Sequence, residues 1–235
     1  MTLLTVENLH VSYGGVTAVR GLSLSVGAGE VVSILGPNGA GKSTTLAAIA
    51  GGVTPRQGRI TYAGEDVTGG RPEEIARMGI SLVPEGRHVF ATLTVEENLV
   101  IGTYMHKEKG DVASVLDRFP RLKERRDFPA GRLSGGEQQM LVIARAMLAK
   151  PKLMLVDEPS LGLAPLIIDQ VYEILLELRR QGMSLLIVEQ STGRILKHAD
   201  RIYVLRGGSV QLADAATNLR DGEAIKRAYF GFEAA

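Results

Sequence analysis

No cysteine and no tryptophan occur in this 235-residue chain, and aromatic residues make up only 5% of it. The missing cysteine removes disulfides, thiol nucleophiles and Cys-ligated zinc together, and suits a reducing compartment. The four histidines are scattered, with no pair at metal-ligand spacing, so zinc is not indicated. An excess of one charge is also missing. Lys and Arg number 27 against 26 Asp and Glu, and a formal net charge of +1 gives no basic field for nucleic acid. No apolar run approaches the ~20 residues of a membrane span. The opening stretch, MTLLTVENLHVSYGG, carries neither a basic leader nor an apolar signal core. The expectation is a cytosolic chain whose link to any membrane runs through a partner.

What is present is ordinary for a globular protein: 45% hydrophobic and 23% charged residues, enough for one core or a core with an attached lobe. Leu3–Val11, Ala18–Val26 and Val31–Leu35 read as strands, separated by Gly14-Gly15 and by Gly27–Gly29. The two glycine breaks suggest antiparallel pairing, while the third run is apolar throughout, as a buried parallel strand is. A helix is expected from Lys42 to Gly51-Gly52, a strand over Arg59–Ala63, a helix over Pro72–Met78 and a strand over Ile80–Val83. From Thr94 to Ala149 the pattern is helical, with breaks at Gly110, around Pro120 and at Pro129–Gly131. Beyond it come strand Leu153–Asp157, helix Pro165–Gln181, strand Ser184–Glu189, helix Ser191–His198, and a hairpin of Arg201–Leu205 with Ser209–Leu212. The helix Pro165–Gln181 shows Ile168, Val171, Ile174, Leu175 and Leu178 along one face. The alternation predicts an α/β fold with a mainly parallel sheet covered by helices. A helical lobe over about 88–150 is inserted between core segments 1–87 and 151–235.

Three motifs carry chemistry. Gly36-Pro37-Asn38-Gly39-Ala40-Gly41-Lys42-Ser43-Thr44 satisfies G-x-x-x-x-G-K-[ST] after a buried strand and before a helix. Its glycines let successive N–H groups face phosphate oxygens, and the helix start adds partial positive charge. Lys42 then reaches the β- and γ-phosphates and Ser43 ligates Mg²⁺. In Leu153–Val156 followed by Asp157-Glu158, a strand end offers Asp157 to the Mg²⁺ shell. Glu158 follows as the base that polarises attacking water. The third motif, LSGGEQQ, places Ser134, Gly135, Gly136 and Glu137 at a helix start, a second anion-binding concavity. Ser134 with Glu137 three residues on is also a capping box, and both readings hold together. A second phosphate-facing surface has no task in the first catalytic set, so it is expected to serve another subunit's nucleotide. Tyr13 either stacks on an adenine face or packs as a core aromatic. The basic run Arg121–Arg126 reads as a solvated face.

Together these motifs resemble the nucleotide-binding subunit of an ATP-binding cassette (ABC) transporter, over essentially the whole chain. GPNGAGKST is similar to its Walker A loop, LMLVDE to its Walker B strand and LSGGEQQ to its signature. The resemblance implies a P-loop, RecA-like core with an antiparallel N-terminal lobe and the helical lobe. It further implies ATP and Mg²⁺ as cofactors, and a head-to-tail pair in which Walker residues of one subunit and the signature of the other hold each ATP. The isolated chain could so pair with itself.

The departures narrow the resemblance. Glu85, in VPEGRHVF, stands where the Q-loop usually has Gln. Ala164, in EPSLGLAP, stands where the D-loop usually has Asp, and Gln190 follows Ile187-Val188-Glu189 where the switch is usually His. This combination resembles the second ATPase subunit, of LivF type, of branched-chain amino-acid importers. A closely similar subunit serves urea and short-amide importers. The implied partners are two transmembrane permease subunits, a second homologous ATPase and, indirectly, a periplasmic binding protein. The implied place is the cytoplasmic face of a bacterial or archaeal inner membrane. Glu158, Gln190 and Lys42 would act catalytically. Glu85 would sit at or beyond the Mg²⁺ shell formed by Ser43 and Asp157. Two further readings stay open: the ATPase of an exporter, and a soluble ABC ATPase acting on nucleic acid or the ribosome.

Overall fold

The computed structural model describes residues 1–104, 111–220 and 222–231. The chain begins with two long strands, β1 (Thr2–Tyr13) and β2 (Val16–Gly27), paired antiparallel across Gly14-Gly15. The wholly buried β3 (Val31–Leu35) follows, then α1 (Lys42–Ile49), β4 (Gln57–Tyr62) and the two-residue β5 (Glu65–Asp66). Next come α2 (Pro72–Met78), which carries proline in its first turn, and β6 (Ile80–Val83). Among the described residues four helices without an intervening strand come after: α3 (Val95–Gly102), α4 (Val112–Arg118), α5 (Pro120–Glu124) and α6 (Gly135–Met147). The expected breaks around Pro120 and Pro129–Gly131 separate these helices, while the one at Gly110 lies outside the described residues. The remaining elements are β7 (Leu153–Asp157), α7 (Pro165–Arg180), β8 (Ser184–Glu189), α8 (Thr192–His198), β9 (Arg201–Arg206), β10 (Ser209–Ala215) and α9 (Glu223–Phe230).

The strands form two sheets. One is four-stranded and antiparallel, in the order β2-β1-β4-β5; the other is six-stranded, in the order β10-β9-β3-β8-β7-β6. Strands β9, β3, β8, β7 and β6 run parallel, and only β10 folds back antiparallel on β9. Side chains of these strands alternate between two cores. Val31, Leu35, Met154, Val156, Leu185 and Ile187 face the cluster built with α3 to α9. Val32, Ile34, Leu153, Leu155, Leu186 and Val188 face the cluster built with α1, α2 and the antiparallel sheet. A strand buried on both faces must be apolar at every position, which is why these segments read as uninterrupted runs. Each such aliphatic contributes roughly 1.5–3 kcal/mol by leaving water.

The second glycine break is not a hairpin: β3 leaves the antiparallel sheet and enters the parallel one. The Glu30 carboxylate accepts from Gly27 N at 2.5 Å and is bound by Arg201 of β9 at 2.8 Å, while Ser184 of β8 accepts from Gly29 N at 2.9 Å. These contacts carry the turn across to the second sheet. On α7, Tyr172 joins Ile168, Val171, Leu175 and Leu178 in the core, and Ile174 is only half-buried. Among the described residues no helix is long and apolar enough to cross a membrane.

Candidate active site

The parallel register brings the carboxyl ends of β3, β7 and β8 together, with Leu35 opposite Glu189 and Asp157 opposite Val188. In open α/β sheets that edge is where ligands bind. A cleft of about 430 Å³ opens there, lined by Asn38 to Thr44 on one side and by Glu85, Glu158, Leu161 and Gln190 on the other. Its floor is the loop from β3 into α1. Gly41 caps that helix in the left-handed region at φ 97°, and a Cβ there would stand 2.5 Å from the Ala18 carbonyl oxygen. Only glycine closes this turn. No side chain caps α1, so its first-turn amides and positive helix end are free to meet an anion in the cleft.

Lys42 is 5% exposed. Its Nζ donates to the carbonyl oxygens of Gly36 at 2.9 Å and Pro37 at 3.2 Å, and pairs with Glu158 Oε1 at 3.1 Å. The Ser43 hydroxyl donates to Asp157 Oδ1 at 3.1 Å. Burial pushes the Asp157 carboxyl up to about 6; the Ser43 bond and Lys42 oppose this, while Glu158 and Glu85 add to it. An adjacent hydroxyl and carboxylate, crowded by further acids, suit a hard divalent cation. Among the described residues no three acids or histidines form a full metal cage. Ser43 and Asp157 would supply two oxygens to such a cation, as the protein does for Mg²⁺ where phosphate and water supply the rest.

Glu158 itself has φ 47°, a left-handed backbone that a glutamate rarely adopts. Its N–H donates to the Val188 carbonyl at 3.0 Å, tying the bend to β8. Behind it lies Glu189, 2% exposed, which accepts from Ser160 Oγ and from Tyr172 Oη, each at 2.9 Å. Burial pushes the Glu189 carboxyl up, the two hydroxyls partly offset that, and the charge of Glu158 pushes it further.

Tyr13, Ser134, Gly135, Gly136 and Glu137 do not line this cleft. Tyr13 is 53% exposed at the end of β1, so the core-packing reading fails and an exposed aromatic face remains. Ser134 and Glu137 form the expected capping box on α6: Glu137 Oε2 accepts from Ser134 N and Oγ at 2.8 Å, and Ser134 Oγ accepts from Glu137 N at 3.4 Å. Burial raises the Glu137 carboxyl, but the Ser134 bonds and nearby Arg125 outweigh it and hold it below the usual range.

Three functional candidates escaped the sequence. Ser160 and Glu189 meet only through the fold. Arg87, which donates to Gly162 O at 3.4 Å and lies against Gly135, has no role of its own marked within VPEGRHVF. The basic run is mostly solvated, yet its Arg125 pairs with Glu137 at 3.2 Å and lies over the Phe128 ring.

The comparisons with known proteins agree with this fold. The ABC transporter family model matches residues 19–161. The chain is 46% identical to the high-affinity branched-chain amino acid transport ATP-binding protein BraG of Pseudomonas aeruginosa, over 97% of this chain and 100% of BraG. It is 34% identical to the lipopolysaccharide export system ATP-binding protein LptB of Haemophilus influenzae, over 98% of each. Among solved structures, the ADP conformation of an ATP-binding cassette of an ABC transporter superposes with a TM-score of 0.87 at 30% identity. That match covers 99% of this chain and 100% of the other. The chain belongs to the ABC transporter family, as an ATP-binding cassette of the kind that hydrolyses ATP.

Proposed function

We propose that this chain is an ATP-hydrolysing subunit of a branched-chain amino-acid importer, acting at the cytoplasmic face of the inner membrane. The observation that carries the hydrolytic reading is the convergence of Lys42, Ser43, Asp157, Glu158 and Gln190 on one cleft at the sheet's carboxyl edge. The cargo reading rests on likeness to BraG, since an ATPase subunit of this kind does not touch what is carried. The amides of residues 36–44 and Lys42 hold the phosphates. Ser43 and Asp157 hold Mg²⁺, which neutralises phosphate charge when bound, with Glu85 at or beyond that shell. Glu158 takes the proton of the attacking water, and Gln190 donates a hydrogen bond to the γ-phosphate. Ser134, Gly135, Gly136 and Glu137 present the second anion surface to a partner ATPase's nucleotide, and Tyr13 offers its exposed ring to adenine. Two permease subunits and a second, homologous ATPase complete the machine, with a periplasmic binding protein delivering cargo. The helices from α3 to α6 form its signature lobe.

Glu158→Gln tests the mechanism. ATP still binds, while turnover falls by about two orders of magnitude, as the loss of a general base demands. Unchanged hydrolysis moves the catalytic role elsewhere. Likeness to LptB supports a second reading, the ATPase of an exporter. Reconstitution with a permease pair and binding protein that takes up leucine decides for import; failure with every amino acid and amide tried, but function with an export permease, decides against it.

A further inference from the structure

Glu189 is a buried acid that the reaction above leaves unused. It ends β8, one residue before Gln190, and its carboxylate turns to the loop that follows Glu158. That loop is stitched to the strand end twice: Glu158 N donates to Val188 O at 3.0 Å, and Ser160 Oγ donates to Glu189 Oε2 at 2.9 Å. A third bond, from Tyr172 Oη at 2.9 Å, ties the same carboxylate to α7. A carboxylate at 2% exposure is a costly way to fill space, and an apolar side chain would fill it without that cost. Its distinguishing property is that each of its two oxygens faces a hydroxyl, Ser160 on one and Tyr172 on the other, and the ionised form accepts from both. The residue that needs holding is Glu158, because a left-handed backbone at φ 47° persists only where its surroundings over-determine it.

We propose that Glu189 is a positioning residue for hydrolysis: through Ser160 it holds the loop bearing Glu158 in register with Gln190, so that base and switch address the same phosphate. This rests on the reading of Glu158 as the base. Losing the Ser160–Glu189 bond then loosens the base without touching the residues that bind ATP.

The test is ATPase kinetics of the full chain carrying Ser160→Ala, Ser160→Thr, Glu189→Gln and the double variant Ser160→Ala/Glu189→Gln, beside Glu158→Gln. The expected result is a fall in kcat of about tenfold for Ser160→Ala, with the KM for ATP and the affinity for a non-hydrolysable analogue unchanged within about twofold. Ser160→Thr, which keeps a hydroxyl, restores most of the rate. The double variant is no slower than the slower single one, since Ser160→Ala removes and Glu189→Gln weakens the same bond. Wild-type kcat in Ser160→Ala, equal losses in the alanine and threonine variants, or additive losses in the double variant overturn the proposal. Glu158→Gln separates the two ideas: if it hydrolyses ATP normally, the base reading itself fails.

Discussion

The Lys42 ammonium and the Glu158 carboxylate stand 3.1 Å apart, with side chains 5% and 4% exposed. Two groups assigned to opposite ends of the reaction, phosphate binding and water activation, thus neutralise each other inside the cleft. Lys42 cannot grip a phosphate at full strength until this pair yields, and its two carbonyl acceptors, Gly36 and Pro37, leave it a fallback. The pair therefore works against nucleotide affinity. Replacing the carboxylate by an amide exchanges a charge-assisted bond for a neutral one, a difference of about 1 kcal/mol, or about fivefold in affinity. Glu158→Gln is expected to bind ATP about fivefold more tightly than the natural chain while losing turnover. Lys42→Ala is expected to lose about tenfold or more in affinity. Titration with a fluorescent ATP analogue measures both, and weaker binding by Glu158→Gln would show that the pair assists rather than competes.

Gln190 and Glu85 both line the same cleft. A histidine at 190 could carry a proton and give the γ-phosphate a charge-assisted bond, where glutamine gives a neutral one. Gln190→His should raise the ATPase rate of the assembled transporter about fivefold, from the same difference of about 1 kcal/mol. Glu85 is exposed and adds its charge to the crowding of Asp157. Because it stands at the rim rather than in the phosphate loop, Glu85→Gln should change ATP affinity less than about twofold while lowering transport per ATP hydrolysed. Vesicle uptake and phosphate release measured on the same preparation separate the two effects.

Much of this site was legible in the sequence because its chemistry is local. Lys42 and Ser43 open α1 directly after a glycine-rich loop, Asp157 and Glu158 close an apolar strand, and the parallel sheet does the rest. Contacts between distant residues were not legible. Ser160 and Glu189 meet across 29 positions, and no periodicity marks either. The turn at Gly27–Gly29 looks like a hairpin locally, and contacts to residues far along the chain, Glu30 with Arg201 and Gly29 with Ser184, send it to the other sheet. The C-terminal helix α9 also went unread: its apolar face is a single buried Ile225 with partly buried Ala224, Ala228 and Tyr229. Eight residues are too few for a clear helical period.

The two signature glycines have different physical reasons, and their substitutions should part accordingly. A Cβ on Gly136 would stand 2.4 Å from Ile167 Cγ2 on α7, which helix packing cannot absorb without a shift. A Cβ on Gly135 would meet the Arg87 guanidinium at 2.8 Å, the far end of a flexible side chain that can swing away. Gly136→Ala is expected to cost roughly 1–3 kcal/mol of stability, and Gly135→Ala to stay within about 0.5 kcal/mol of the natural chain. Gly135→Ala should impair nucleotide-driven pairing of subunits by thickening the signature surface, whereas Gly136, buried against α7, acts through packing. Denaturant midpoints and size-exclusion with ATP and a non-hydrolysing variant distinguish the two outcomes.

Tyr62 gives a stability signature far from the cleft. It is 1% exposed in the core beneath the antiparallel sheet, and its hydroxyl donates to the Gly79 carbonyl at 3.2 Å, just past α2. Burial pushes its phenol from 10.0 up to about 12. The unfolded chain therefore releases this proton near pH 10 while the folded chain keeps it to about pH 12. Between those values the folded state binds more protons than the unfolded one, so stability falls as pH rises through the window. Below pH 10 the group contributes no pH dependence. Tyr62→Phe deletes the titration and the hydrogen bond together: it should lower stability by about 1 kcal/mol at neutral pH and flatten the alkaline decline. Urea midpoints of the two proteins from neutral pH to about pH 11 are expected to converge as pH rises; parallel curves would show that Tyr62 ionises in the folded state like an exposed phenol.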